Sequence, residues 1–75
     1  MNKIRRKAIE DLNEKLEALR YELENIKDEE QETLDNMPEN LQASDRAMES
    51  EDAISTMEDA IDELDSAIES LGELI

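Results

Sequence analysis

The 75-residue chain has no cysteine, histidine, tryptophan or phenylalanine, and one residue each of glycine, proline and tyrosine. Without thiolate or imidazole there is no Ser-His, Cys-His or zinc constellation, and Ser44, Ser50, Ser55, Ser66 and Ser70 have no neighbouring base to activate them. A single glycine excludes a Gly-rich phosphate loop, and the acids Asp59, Asp62, Glu63 and Asp65 lack the glycine and ligand spacing of an EF-hand. Pairs such as Asp62 and Asp65 are not di-metal ligands either, because those bundles need a Glu-x-x-His on the inward face. No catalysis, cofactor or metal site is expected. Positive charge is also scarce. Eight basic residues against 23 acidic ones leave a formal charge of −15, which disfavours direct binding to DNA, RNA or anionic lipid. The longest apolar runs are dipeptides, far short of the roughly 20 residues of a membrane-spanning helix. The start MNKIRRKAIEDL is basic but has no apolar stretch of the kind a secretory signal requires. Cytoplasmic residence is therefore expected.

What the sequence does have is heptad periodicity. Ile9, Leu12, Leu16, Leu19, Leu23 and Ile26 are spaced 3, 4, 3, 4 and 3 apart, the alternation of a coiled-coil seam. In the second half Ala-Ile-x-x-(Met/Leu) recurs every seven residues, as Ala53, Ile54, Met57, then Ala60, Ile61, Leu64, then Ala67, Ile68, Leu71. No glycine or proline interrupts either seam before Gly72, and the β-branched clusters that favour strands are absent. Two helices are expected, over about 3–35 and 45–72, joined by a turn over about 36–44. Pro38 cannot lie deep in a helix and disfavours helical geometry at Met37, so the chain turns there. Asn36 with Glu39, or Ser44, offers a helix start, leaving open a short extra turn over 38–42. The seams lose phase near the tip: Leu34 and Met37 lie one position late in the first helix, and Met48 lies six rather than seven residues before Ile54. In an antiparallel hairpin these two irregularities face each other, which favours a hairpin over one rod.

Charge supports the same pairing. Residues 1–37 carry 7 basic and 11 acidic side chains, and residues 38–75 carry Arg46 and 12 acids. Lys3, Arg5, Arg6 and Lys7 oppose the dipole of the first helix, Glu69 and Glu73 oppose that of the second, and antiparallel pairing brings the clusters together. Arg20 with Glu58 is a further candidate pair. The fold expected is all-α, an antiparallel two-helix coiled-coil hairpin forming a single domain over 1–75. A lone pair leaves each seam residue about half wet, and Ala53, Ala60 and Ala67 widen the stripe of the second helix beyond what one neighbour covers. A homodimer forming a four-helix bundle is therefore expected.

The functional candidate is surface. Glu51, Asp52, Glu58, Asp59, Asp62, Glu63, Asp65 and Glu69 supply acceptors for the Lys and Arg that normally grip phosphates. A dimer of charge −30 over about 50 Å of helix would approach the linear charge density of duplex DNA. The simplest alternative is that this acid only keeps the protein soluble. Leu34, Met37, Leu41 and Met48 at the tip form a small cluster that can also serve as an adaptable contact. Tyr21 lies off the seam. The four basic residues near the amino terminus lack the aromatic neighbours of a nucleic-acid site and are read as neutralising the hairpin.

The connection Asn36-Met37-Pro38-Glu39-Asn40-Leu41-Gln42-Ala43-Ser44 follows a Lys/Arg-rich start and an acidic helix and precedes the Ala-Ile-x-x-Leu heptads. In this it resembles small acidic helical-hairpin proteins of phages and prophages of Gram-positive bacteria. The resemblance covers nearly the whole chain, and the turn is its specific part. It implies, by genomic company, an anti-defence role of the anti-CRISPR or DNA-mimic type, with a host protein of basic surface as partner. The competing expectation is a structural or oligomerisation module that binds a partner protein through its apolar stripe.

Overall fold

A computed structural model of the chain describes residues 1–41 and 44–75. Helix α1 spans Lys3–Asp35 and helix α2 spans Asp45–Gly72, packed against each other as an antiparallel hairpin 59 Å long and 14 Å by 12 Å across, measured on Cα atoms. The all-α hairpin read from the heptads is the fold. Asn2 opens α1, its Oδ1 accepting from the Arg5 N–H at 2.8 Å, and Ser44 opens α2, its Oγ accepting from the Ala47 N–H at 3.3 Å. Each side chain satisfies one of the amides that a helix start leaves without a partner.

Asn36 ends α1 rather than starting a helix, its N–H returning to the Glu32 carbonyl at 3.0 Å. Pro38 then allows a single 3-10 turn over Glu39–Leu41, closed by the Leu41 N–H on the Pro38 carbonyl at 2.8 Å. The extra turn and the Ser44 cap thus coexist. Gln42 and Ala43, part of the expected connection, lie outside the described residues.

The stripe by which α1 meets α2 differs from the one its leucines suggest. Ile9, Asn13, Leu16, Arg20, Leu23, Lys27, Glu30 and Leu34 are half-buried or buried, with Met37 following beyond the helix end and with Glu10, Glu24 and Gln31 half-buried beside this stripe. The stripe residues are spaced 4 and 3 alternately, a heptad stripe rotated relative to the expected seam. Leu12, Leu19 and Ile26 are 50%, 55% and 54% exposed and do not face α2. The physical reason lies at the tip. A stripe through Leu12, Leu19 and Ile26 would reach Thr33, whereas the rotated stripe carries Leu34 and Met37 inward without a change of phase. In α2 the stripe runs Ala47, Ser50, Ile54, Met57, Ile61, Leu64, Ile68, Leu71, so Ala47, not Met48, continues it towards the turn. The two expected phase shifts are therefore absent.

Rotation places polar groups between the helices. Asn13 is 7% exposed and its Nδ2 donates to the Ile68 carbonyl at 3.2 Å, while its Oδ1 is buried without a hydrogen-bond partner. Nearer the tip the Ser50 hydroxyl donates to Glu30 Oε1 at 2.6 Å. Such polar layers cost apolar contact but tie α1 to one register on α2. The buried apolar residues among those described are Ala47, Ile54 and Ile61, a thin core.

Candidate functional site

The facing stripe of α1 consists of two columns, Ile9, Leu16, Leu23 and Asn13, Arg20, Lys27. At about 100° per residue, Leu12, Leu19 and Ile26 flank the first column, and Glu10, Glu17 and Glu24 flank the second. On α2 the flanks are Ala53, Ala60, Ala67 on one side and Glu51, Glu58, Asp65 on the other. Both helices are right-handed and they run in opposite directions, so the leucine column and the alanine column fall on one side of the hairpin. The acidic columns fall on the opposite side. Arg20 marks that acidic side, because its guanidinium bridges Glu24 on its own helix and Asp65 on the other, with Nε to Asp65 Oδ1 at 2.8 Å.

The hydrogen bond to Asp65 is the main reason that the Arg20 guanidinium is held even further above its ordinary value, with Glu24 adding to it. Arg20 is thus a fixed positive charge within a negative face. Glu58, the partner expected for it from sequence, is not the one used. Asp65 is also the one expected binding acid that a basic side chain pairs with among the described residues. Glu51, Asp52, Glu58, Asp59, Asp62, Glu63 and Glu69 stand exposed along the outside of α2. Their columns, with that of Asp65, wrap the acidic side and the back of the helix, and Glu63 sits towards the apolar side. A ligand approaching α2 from outside meets carboxylates on successive turns.

At the open end the basic and acidic clusters share one end of the hairpin, but the ion pair formed there is Lys7 with Asp11 at 3.0 Å, within α1. That contact raises the Lys7 ammonium above its ordinary value. No ion pair joins Lys3, Arg5, Arg6 or Lys7 to Glu69 or Glu73 among the described residues, so the expected pairing of these clusters is not made by direct contact.

At the tip Leu34 and Met37 are half-buried, whereas Leu41 and Met48 are exposed. Thr33, Met37, Pro38, Leu41, Ser44 and Arg46 line a hollow of about 410 Å³ there. Leu34 and Met48 are outside it, so the expected four-residue cluster is divided. Tyr21 is 64% exposed. Among the described residues no group of three or more His, Cys, Asp or Glu could hold a metal ion, and no helix is long and apolar enough to cross a membrane.

The apolar spacing passes over Asn13 and Lys27 as interface residues, and Arg20 is expected there only as the partner of Glu58. Their signal was present in the 4-3 spacing that links them to Leu16, Leu23 and Leu34, but their polarity hid it. Comparison with protein-family models, with curated proteins and with solved structures returns no match.

Proposed function

We propose that the protein acts without catalysis, binding a basic nucleic-acid-binding groove of another protein through the acidic exterior of α2, in the manner of a phage-type inhibitor of a CRISPR or other host defence effector. The carrying observation is the run of exposed carboxylates at Glu51, Asp52, Glu58, Asp59, Asp62, Glu63 and Glu69, whose positions on successive turns supply acceptors for Lys and Arg side chains. Two copies of charge −15 on a body 59 Å long give about one net charge per 2 Å, near that of duplex DNA. Charge-assisted hydrogen bonds from arginine forks would supply the contact energy, and complementary potential would speed encounter.

The test spares Asp65, because a lysine there would face Arg20. Glu58→Lys, Asp59→Lys and Asp62→Lys are combined and helicity is checked by circular dichroism. Immobilised wild-type protein should retain a nucleic-acid-binding protein from the host lysate, and duplex DNA or rising salt should release it. The triple variant should retain none. Equal retention by a helical triple variant sinks the proposal. The second reading, a structural module whose partner covers the apolar stripe, is favoured by the exposure of Leu12, Leu19 and Ile26. It predicts loss of the partner in Ala60→Glu and Ala67→Glu, and little response to salt.

A further inference from the structure

The face opposite the acidic one is centred on two columns without a carboxylate. Its two columns are Leu12, Leu19 and Ile26 on α1 and Ala53, Ala60 and Ala67 on α2, with Arg5, Thr33, Arg46 and Leu74 at their ends. No acidic residue occurs in either column, in a chain with 23 of them. The hydrogen bonds between the helices set the levels. Asn13 meets Ile68 and Glu30 meets Ser50, so Leu12 lies beside Ala67, Leu19 beside Ala60 and Ile26 beside Ala53. Three large and small apolar pairs thus succeed each other at seven-residue intervals along a flat face.

We propose that this face pairs with a second copy of the same chain, the two tips at opposite ends, around a two-fold axis passing near Leu19 and Ala60. The size fits. A face 59 Å long and 14 Å wide offers on the order of 800 Å² per copy, the area a stable protein–protein interface uses on each partner. The need is also present, since Ala47, Ile54 and Ile61 are the buried apolar residues among those described and short chains with thin cores commonly gain stability by association.

Charge selects a copy of this chain and the reversed orientation. With tips opposed, Lys15, beside the leucine column, comes level with Glu22 of the second copy. Glu29, Glu49 and Glu63 meet Ala8, Ser70 and Thr56 of the second copy, so no acid faces an acid. With tips together, α1 would lie over α2 of the second copy at the levels already seen within one hairpin, placing Lys15 against Glu63 but also Glu29 against Glu49, so a repulsive contact offsets the attractive one. The wider distribution agrees. Residues 19–62, the tip-ward part, carry 3 basic and 15 acidic side chains, net −12, while the remainder carries 5 basic and 8 acidic, net −3. Opposed tips keep the two strongly negative parts apart, and the acidic faces of both copies stay outward.

The chain has no cysteine, so single introduced cysteines read the geometry directly. Residues on the two-fold axis meet their own counterparts. Leu19→Cys, and separately Ala60→Cys, should cross-link to a species of twice the 8.6 kDa chain mass under mild oxidation or with a short bismaleimide. Leu12→Cys alone should not, but Leu12→Cys combined with Ile26→Cys should. The unmodified protein should have the dimer mass by light scattering at micromolar concentration, and the dimer should tighten as salt rises, the opposite sign to binding of a basic partner. A monomer across the micromolar to millimolar range overturns the proposal. So does cross-linking that requires Leu19→Cys and Ala60→Cys together, because that result places the tips side by side.

Discussion

Asn13 offers the sharpest energetic test of the rotated stripe. Its amide is 7% exposed, donates one hydrogen bond to the Ile68 carbonyl and leaves Oδ1 buried without a partner. An unsatisfied buried acceptor costs about 1–3 kcal/mol, while a single hydrogen bond returns about 1 kcal/mol, so the amide is a net destabiliser or at best neutral. Leucine has nearly the same shape. Asn13→Leu removes the orphaned oxygen and adds apolar contact to the stripe between Ile9 and Leu16, worth up to about 1.5–3 kcal/mol at full burial and less beside a single neighbouring helix. The expected net gain is about 1–3 kcal/mol. At roughly 4–8 °C per kcal/mol for a domain of this size, the thermal midpoint should rise by about 4–24 °C. The assay is thermal denaturation followed by circular dichroism at 222 nm, with both proteins at one concentration and the oligomeric state measured, since association alone raises the midpoint. A lowered midpoint would show that Asn13 does not lie in a dry interface against α2, and the rotated stripe would be wrong with it.

Four further outcomes follow from the same geometry. Arg20→Ala should lower the midpoint of chemical denaturation only modestly, because Asp65 is half exposed and solvent screens the pair; Glu58→Ala should change little by comparison. Ser44→Ala should cost about 1 kcal/mol through loss of the α2 cap and Ser44→Gly only a few tenths, a ranking that denaturant midpoints would resolve. Ile61→Ala should cost about 2–4 kcal/mol, well above any surface change, and an effect below 1 kcal/mol would contradict the packing of α2 on α1. Arg20 is held above its ordinary value, which already lies far on the alkaline side, so from neutral into alkaline pH its contribution is fully present and is lost only as pH rises through the still higher folded value. Between pH 7 and 10, titration of Arg20 should therefore add no pH dependence, so wild-type and Arg20→Ala proteins should differ by a constant amount across that interval.

The parts of the fold legible in the sequence are those written in apolar residues. The repeating Ala-Ile-x-x-Met/Leu block placed the α2 stripe from Ile54 to Leu71, because there hydrophobicity and the inward face coincide. Pro38 marked the reversal, because its ring and missing N–H are incompatible with a helix interior whatever surrounds it. In α1 the apolar spacing specifies a helix but not its facing direction. Ile9, Leu12, Leu16, Leu19, Leu23 and Ile26 form a stripe wide enough for two neighbours, and which edge turns to α2 is decided at a distance by Leu34, Met37 and the polar layers at Asn13 and Glu30. Hydrophobic spacing cannot rank those alternatives, since the chosen one puts Arg20 and Lys27 in the interface and leaves leucines outside. The acidic exterior of α2 was legible as composition, but the pairing of Asp65 with Arg20 depended on the levels of the two helices, which spacing within one helix does not contain.

The chain folds back on itself around Pro38, and every contact between α1 and α2 depends on that reversal. Spin labels on Cys introduced at the exposed positions Glu14 and Ser66, which lie at about the same level on α1 and α2, measure it most directly. With labelled protein diluted in unlabelled protein, pulsed electron resonance should give one narrow distance of about 20–30 Å, two helices 8–10 Å apart with labels outward. A single continuous helix would hold these positions about 78 Å apart at 1.5 Å per residue, and an unfolded chain would give a broad distribution; either result contradicts the hairpin.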